Sequence, residues 1–142
     1  MREILFRGKR KDFDNEWLEG FYTLYNDNRG MKPAIITGTE KHCFIPLEII
    51  PETVGQYTGL TDKNGKKIFE GDIVEVTYLT RCYDNETEIR EVTYNEEECC
   101  YYPMRWNETC EVCDYFTEIQ SIEVIGNIHD NPELLKGDKS DA

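Results

Sequence analysis

The residues with the most chemistry to offer in this 142-residue chain are its six cysteines, Cys43, Cys82, Cys99, Cys100, Cys110 and Cys113. Cys110-Glu111-Val112-Cys113 has the two-residue spacing of a zinc knuckle, and the pair Cys99-Cys100 lies shortly upstream. Zinc takes four soft ligands in a tetrahedron, so two loops each offering two thiolates would suffice, and His42 or His129 could complete a three-cysteine set. The arrangement has a flaw. Cys99 and Cys100 are consecutive, and consecutive side chains of a strand point to opposite faces. The favoured reading is reduced, packing thiols and no cofactor, with zinc on Cys99, Cys100, Cys110 and Cys113 as the alternative.

Other reactive constellations are thinner. Asp62-Lys63-Asn64-Gly65 and Asp12-Phe13-Asp14-Asn15-Glu16 resemble fragments of a calcium loop but lack its full set of alternating ligands, so they read as turns. The only serines are Ser121 and Ser140, and neither sits in a nucleophile elbow. Asn64-Gly65-Lys66-Lys67 lacks the glycine spacing and the hydroxyl of a phosphate loop. No catalytic residue is assigned, and the expectation is a protein that is not an enzyme. Arg7, Lys9, Arg10 and Lys11, close to Phe6, Phe13 and Trp17, form the one nucleic-acid-like cluster; it reads as a solvated loop or as a complement to acidic surface on a neighbouring subunit.

The elements that must position these residues are short strands. Between Leu60 and Ile68-Phe69 stand the turn formers Asp62-Lys63-Asn64-Gly65, with Gly65 free to take a positive φ. After Glu70-Gly71-Asp72 the alternation of Val74, Val76 and Tyr78 against Glu75 and Thr77 predicts a strand. Strands are also predicted over 3–7, 34–37, 42–45, 78–82 and 89–94, with a turn at Asp84-Asn85-Glu86. Two strand pieces, parted at Gly126, are predicted over 117–128. Trp17 to Tyr25 reads as a strand with Trp17, Phe21 and Tyr25 on one face and Leu18, Tyr22 and Leu24 on the other. Aromatics on both faces imply burial on both sides or a surface used for association, for which Trp17, Phe21 and Tyr25 are the candidates. Asn131-Pro132-Glu133-Leu134-Leu135-Lys136 reads as an N-cap, a proline at the first helical position and one short helical turn.

Three separated stretches together resemble the YopX family of bacteriophage and prophage proteins. These are Met1 to Gly8 with Trp17-Leu18-Glu19-Gly20-Phe21; the run QYTGLTDKNGKKIFEGDIV from Gln56; and Val124-Ile125-Gly126-Asn127-Ile128 followed by Asn131 to Leu135. The resemblance implies a mostly-β phage accessory protein and brings no catalytic residue with it.

Charge is divided unevenly. Residues 1–74 carry 11 Lys/Arg against 12 Asp/Glu, whereas residues 75–142 carry 5 against 17, which places nearly all of the net −13 in the second half. Such a half repels phosphate backbones, so direct nucleic-acid binding is not expected. It is a solubilising surface or, alternatively, a nucleic-acid mimic that inhibits a host protein. No apolar run reaches the length of a membrane span, and Met1-Arg2-Glu3-Ile4 does not open a secretory signal, so the expected location is the host bacterial cytoplasm.

The combined reading is a mostly-β, YopX-like fold of two small barrel-like β subdomains, over 1–55 and 56–136, with a short C-terminal helical turn and a disordered tail over 137–142. The expected activity is protein–protein association or homo-oligomerisation, with another host or phage protein as a possible partner.

Overall fold

In the computed structural model, residues 3–12, 16–38, 44–79, 85–103 and 118–140 are described. The chain is mostly β and divides into two compact units, Met1–Gly59 and Leu60–Ala142. Its sheets are open rather than closed into the barrel-like units expected from the sequence. Among the described residues, no helix is long and apolar enough to cross a membrane.

The first unit is built from β1 (Phe6–Lys9), β2 (Trp17–Asn26), β3 (Met31–Ile36), β4 (Pro46–Glu48) and β5, which starts at Gly55 and runs to Thr61. They lie side by side in the order β4-β3-β2-β1-β5. β2 and β3 form a long hairpin with Phe21 opposite Ile36 and Asn26 opposite Met31. The hairpin turns through Asn28 at φ 71 and Gly30 at φ 122, the left-handed backbone that asparagine and glycine adopt most easily. One face of the sheet carries the core: Leu18, Ile35, Leu47 and Ile49 are buried together, with Phe6 and Val54 packed against them. Gly20 lies in this layer because no side chain fits there, since a Cβ would stand 2.1 Å from the Ile36 carbonyl oxygen. Pro46–Glu48 is strand, and a single 3-10 turn follows at Pro51–Thr53, where Pro51 holds Ile50 extended at ψ 117.

The second unit contains β6 (Lys67–Phe69), β7 (Asp72–Leu79), β8 (Asn85–Glu91), β9 (Thr93–Asn95), β10 (Cys100–Tyr102), β11 (Glu118–Asn127) and helix α1 (Glu133–Ser140). β7 is the central strand of a three-stranded antiparallel sheet in the order β11-β7-β8. The predicted alternation is present: Val74 and Val76 are buried with Ile68 and Val92, and Ile119, Ile122, Val124 and Tyr101 pack on them. Four predictions for this unit need correcting. The segment 89–94 is not one strand but is divided between β8 and β9 at Val92. Asn85 and Glu86 are not a turn but the start of β8, because they pair with Leu79 and Tyr78 of β7. Residues 117–128 are not split at Gly126; β11 runs through as one strand and absorbs the mismatch in register shifts between Ile119 and Ser121 and between Val124 and Gly126. The C-terminal helix runs to Ser140, through residues read from the sequence as tail.

Candidate functional site

The hairpin β2–β3 is covered unevenly. On one side of β2, β1 pairs with Trp17 to Gly20 only, and beyond β3, β4 pairs with Ala34 to Ile36 only. From Phe21 to Asn26, β2 therefore pairs with β3 alone among the described residues. Register would bring Ile4 opposite Tyr22, but pairing stops at Phe6.

This uncovered end is apolar. Phe21 is 63 % exposed, Tyr22 40 %, Leu24 52 % and Met31 61 %. Alternation and register place Tyr22, Leu24, Pro33 and Met31 on the core-bearing face, as an outward extension of the layer that buries Leu18 and Ile35. Phe21, Thr23 and Tyr25 line the opposite face. Scattered apolar side chains on a surface are ordinary, but Tyr22, Leu24 and Met31 lie exposed together on one face of a single ribbon while Phe21 is exposed on the other, the kind of apolar surface that marks contacts.

The three residues named from the sequence for this surface behave differently. Phe21 is its most exposed member. Tyr25 is half-buried beside Lys32, its cross-strand neighbour. Trp17 is half-buried at the other end of β2, with the Arg7 guanidinium carbon 4.9 Å from the centre of its ring. Tyr22, Leu24 and Met31 were not singled out. Their signal was the aromatic content of both faces of β2; what was missing was where β1 ends.

The rim of the hairpin is held by charges. Lys32 Nζ lies 2.8 Å from Asp27 Oδ2 and 3.6 Å from Glu48 Oε1. The hydrogen bond from Lys32 holds the Asp27 carboxyl below its usual range, and the same bond raises Lys32. The basic cluster is likewise engaged within its own unit. Arg7 lies over Trp17, Arg10 pairs with Glu16 at 3.0 Å, and Lys11 pairs with Glu48 at 3.4 Å. Glu48 is thus shared by Lys11 and Lys32, and Arg7, Arg10 and Lys11 each have a neighbour within the chain.

The cysteine cluster is only partly within the described residues; Cys43, Cys82, Cys110, Cys113 and His42 lie outside them. Cys99 and Cys100 close the β9–β10 hairpin and have separate neighbours. The Cys99 thiol donates to the Glu96 carbonyl at 3.6 Å and is hydrogen-bonded to Tyr94, whereas the Cys100 thiol is 3.9 Å from the Glu98 carboxylate, which also accepts from the Tyr102 hydroxyl. Desolvation and then the Cys99 thiol push the Tyr94 hydroxyl above its ordinary range. Among the described residues no three His, Cys, Asp or Glu side chains are grouped so as to hold a metal ion. The calcium-like segment at Asp62 is a turn whose carboxylate is already occupied. Oδ1 accepts the N–H groups of Asn64 and Lys66, both at 2.9 Å, and Oδ2 accepts that of Val124 at 3.0 Å. Phe13, Asp14 and Asn15, from the other calcium-like segment, lie outside the described residues.

The acidic residues of the second sheet divide between its two faces. Glu75 is cross-strand from Glu123 and Ile89, so these two carboxylates share one face. Glu88 sits opposite Val76 and therefore on the other face, 2.7 Å from Arg90 Nε, while Glu123 is held by Lys63 at 3.2 Å.

A family model described as YopX protein matches residues 5–136. Among solved structures, the chain is similar to the crystal structure of protein EF1440 from Enterococcus faecalis, at 23 % identity over 95 % of this chain and 99 % of that one, with a TM-score of 0.47. No curated protein matches.

Proposed function

The chain belongs to the YopX family, and on that footing we propose that it is a phage or prophage accessory protein that performs no catalysis and acts in the bacterial cytoplasm by protein–protein association. One observation carries the reading: the β2–β3 hairpin extends past its neighbours with Phe21, Tyr22, Leu24 and Met31 exposed. Burying such a ribbon against a protein surface would remove apolar area from water at roughly 25 cal/mol per Å², which is the ordinary driving force for association. Charge favours the same place. Residues 1–59 hold 8 Lys/Arg against 9 Asp/Glu, whereas residues 60–142 hold 8 against 20, so the hairpin belongs to the nearly neutral unit.

The nucleic-acid mimic is the weaker alternative, because a mimic needs carboxylates spaced along one face and those of β7, β8 and β11 divide between two. A zinc-stabilised module gains no support from Cys99 and Cys100, whose thiols have different neighbours.

Native mass spectrometry of untagged protein tests the proposal. The expected result is a discrete oligomer, or a complex with a co-expressed phage protein, that is lost when Phe21 and Leu24 are both replaced by Ser. A strictly monomeric chain that captures nothing through this hairpin would overturn it.

A further inference from the structure

Hydrogen-bond phase along β2 determines what its uncovered side can accept. Arg10 N–H donates to the Glu16 carbonyl at 2.9 Å, and this pair is in register with Gly8–Leu18 and Phe6–Gly20. Asp27 N–H donates to the Gly30 carbonyl at 3.5 Å, in register with Tyr25–Lys32, Thr23–Ala34 and Phe21–Ile36. In an antiparallel ladder the bonded pairs alternate. Even-numbered residues of β2 therefore direct their backbone groups toward β1's side, and odd-numbered ones toward β3. Beyond Gly20, the even-numbered Tyr22 and Leu24 point their N–H and C=O groups to a side that no strand occupies among the described residues. The Leu24 carbonyl has one local contact, the Thr23 hydroxyl at 3.4 Å.

The sequence on that edge is Phe21-Tyr22-Thr23-Leu24-Tyr25, without charge, proline or glycine. Natural edges normally carry one of these to prevent pairing with another chain. The segment also reads similarly in both directions about Thr23. We propose that it pairs antiparallel with the same segment of a second copy, across a two-fold axis at Thr23. This rests on the association reading above and names its partner. Tyr22 then exchanges backbone hydrogen bonds with Leu24 of the second copy, and Leu24 with its Tyr22, which gives four bonds in the phase the edge already presents. Thr23 faces Thr23 as a non-bonded pair, and each Phe21 faces a Tyr25. Aromatic–aromatic and Thr–Thr are both favourable cross-strand combinations. A two-fold contact of one segment with itself is the isologous interface expected of a homodimer.

The test uses the full chain. In a non-bonded antiparallel pair the facing Cα atoms stand about 4.5 Å apart, close enough for a disulfide. Thr23→Cys under mild oxidation should thus give a dimer in which peptide mapping finds the two introduced thiols bonded to each other, a readout that the native thiols do not confuse. Glu19→Cys, on a part of β2 already paired with β1, should give no such bond. Leu24→Pro removes one outward N–H, leaves the β3 ladder intact and should weaken dimerisation roughly tenfold or more. If Leu24→Pro unfolds the chain, the Thr23→Cys mapping decides alone. A wild-type chain that is monomeric at tens of micromolar would overturn both this proposal and homo-association. A wild-type dimer whose Thr23→Cys variant forms no disulfide between the introduced thiols would overturn this one alone and leave association standing through another face.

Discussion

Asp62 and Val124, sixty-two residues apart, are joined by a hydrogen bond of 3.0 Å from the Val124 N–H to Asp62 Oδ2. With Asn64 and Lys66 on the other oxygen, a nearly buried carboxylate ties the turn after β5 to the middle of β11, and Lys63 N–H reinforces the tie by donating to the Ile122 carbonyl at 2.9 Å. Asp62→Asn keeps an acceptor for the turn but presents an NH₂ group to the Val124 N–H. That leaves a buried donor unpaired, for an expected loss of about 2 kcal/mol in a denaturant titration.

The same carboxylate makes stability depend on acid in a defined sense. Burial acts to raise its pKa, but the bonds from Val124, Lys66 and Asn64 outweigh burial and hold it below the ordinary value. A group depressed in the folded state stabilises fully above its unfolded pKa, about 3.9, and the contribution disappears as pH falls through the folded value. Melting temperatures of wild type and Asp62→Asn should therefore differ most above about pH 5 and converge as pH falls through the depressed folded-state value. A constant difference across that range would show that Asp62 acts through shape alone.

Gly20→Ala places a Cβ against the Ile36 carbonyl, a backbone atom that cannot rotate away. Expected is a loss at the upper end of the range of about 1–3 kcal/mol usual for overpacking, read by chemical denaturation. Gly8→Ala meets the Ile49 side chain, Cδ1 at 2.6 Å with Cβ and Cγ2 at 3.2 Å, and should cost less, since the closest atom is the end of a side chain and not backbone.

Phe21→Ser with Leu24→Ser separates contact from fold. Both side chains are more than half exposed, so the pair should change the stability of the monomer by no more than roughly 0.5 kcal/mol per site while abolishing association. A large fall in monomer stability would mean that the hairpin end is structural instead.

Salt should strengthen the proposed self-association. Each copy carries net −13, so two copies repel at long range, and screening lowers that cost without touching apolar contact. Native mass spectrometry at two ionic strengths checks the sign. Dissociation on adding salt would point instead to pairing between basic and acidic surfaces of neighbouring subunits.

Much of this was readable in the sequence because it is local. The period-two pattern of β7, the turn at Asp62 to Gly65 and the proline-led start of the last helix each follow from neighbours within a few residues. What escaped depends on distant partners. Asn85 and Glu86 have turn-forming chemistry, yet β7 draws them into a strand. The open sheets depend on which strands meet, and the exposed edge at Tyr22 and Leu24 depends on β1 ending at Phe6, well over a dozen residues away in the chain. No periodicity within β2 records that length. The carboxylate of Asp62 looked like a turn former and is one, but its bond to β11 is tertiary.

An uncharged edge strand is also a liability, and most of its safeguard is not adjacent to it. Glu19 and Asp27 flank the segment, but Asp27 is held by Lys32, and most of the net charge lies in residues 60–142 and protects the chain through colloidal repulsion of whole molecules. That protection is titratable. Near the isoelectric point of about 4.5 the repulsion vanishes while Phe21-Tyr22-Thr23-Leu24-Tyr25 stays as apolar as before, so the native chain would lose solubility in mild acid before it lost its fold.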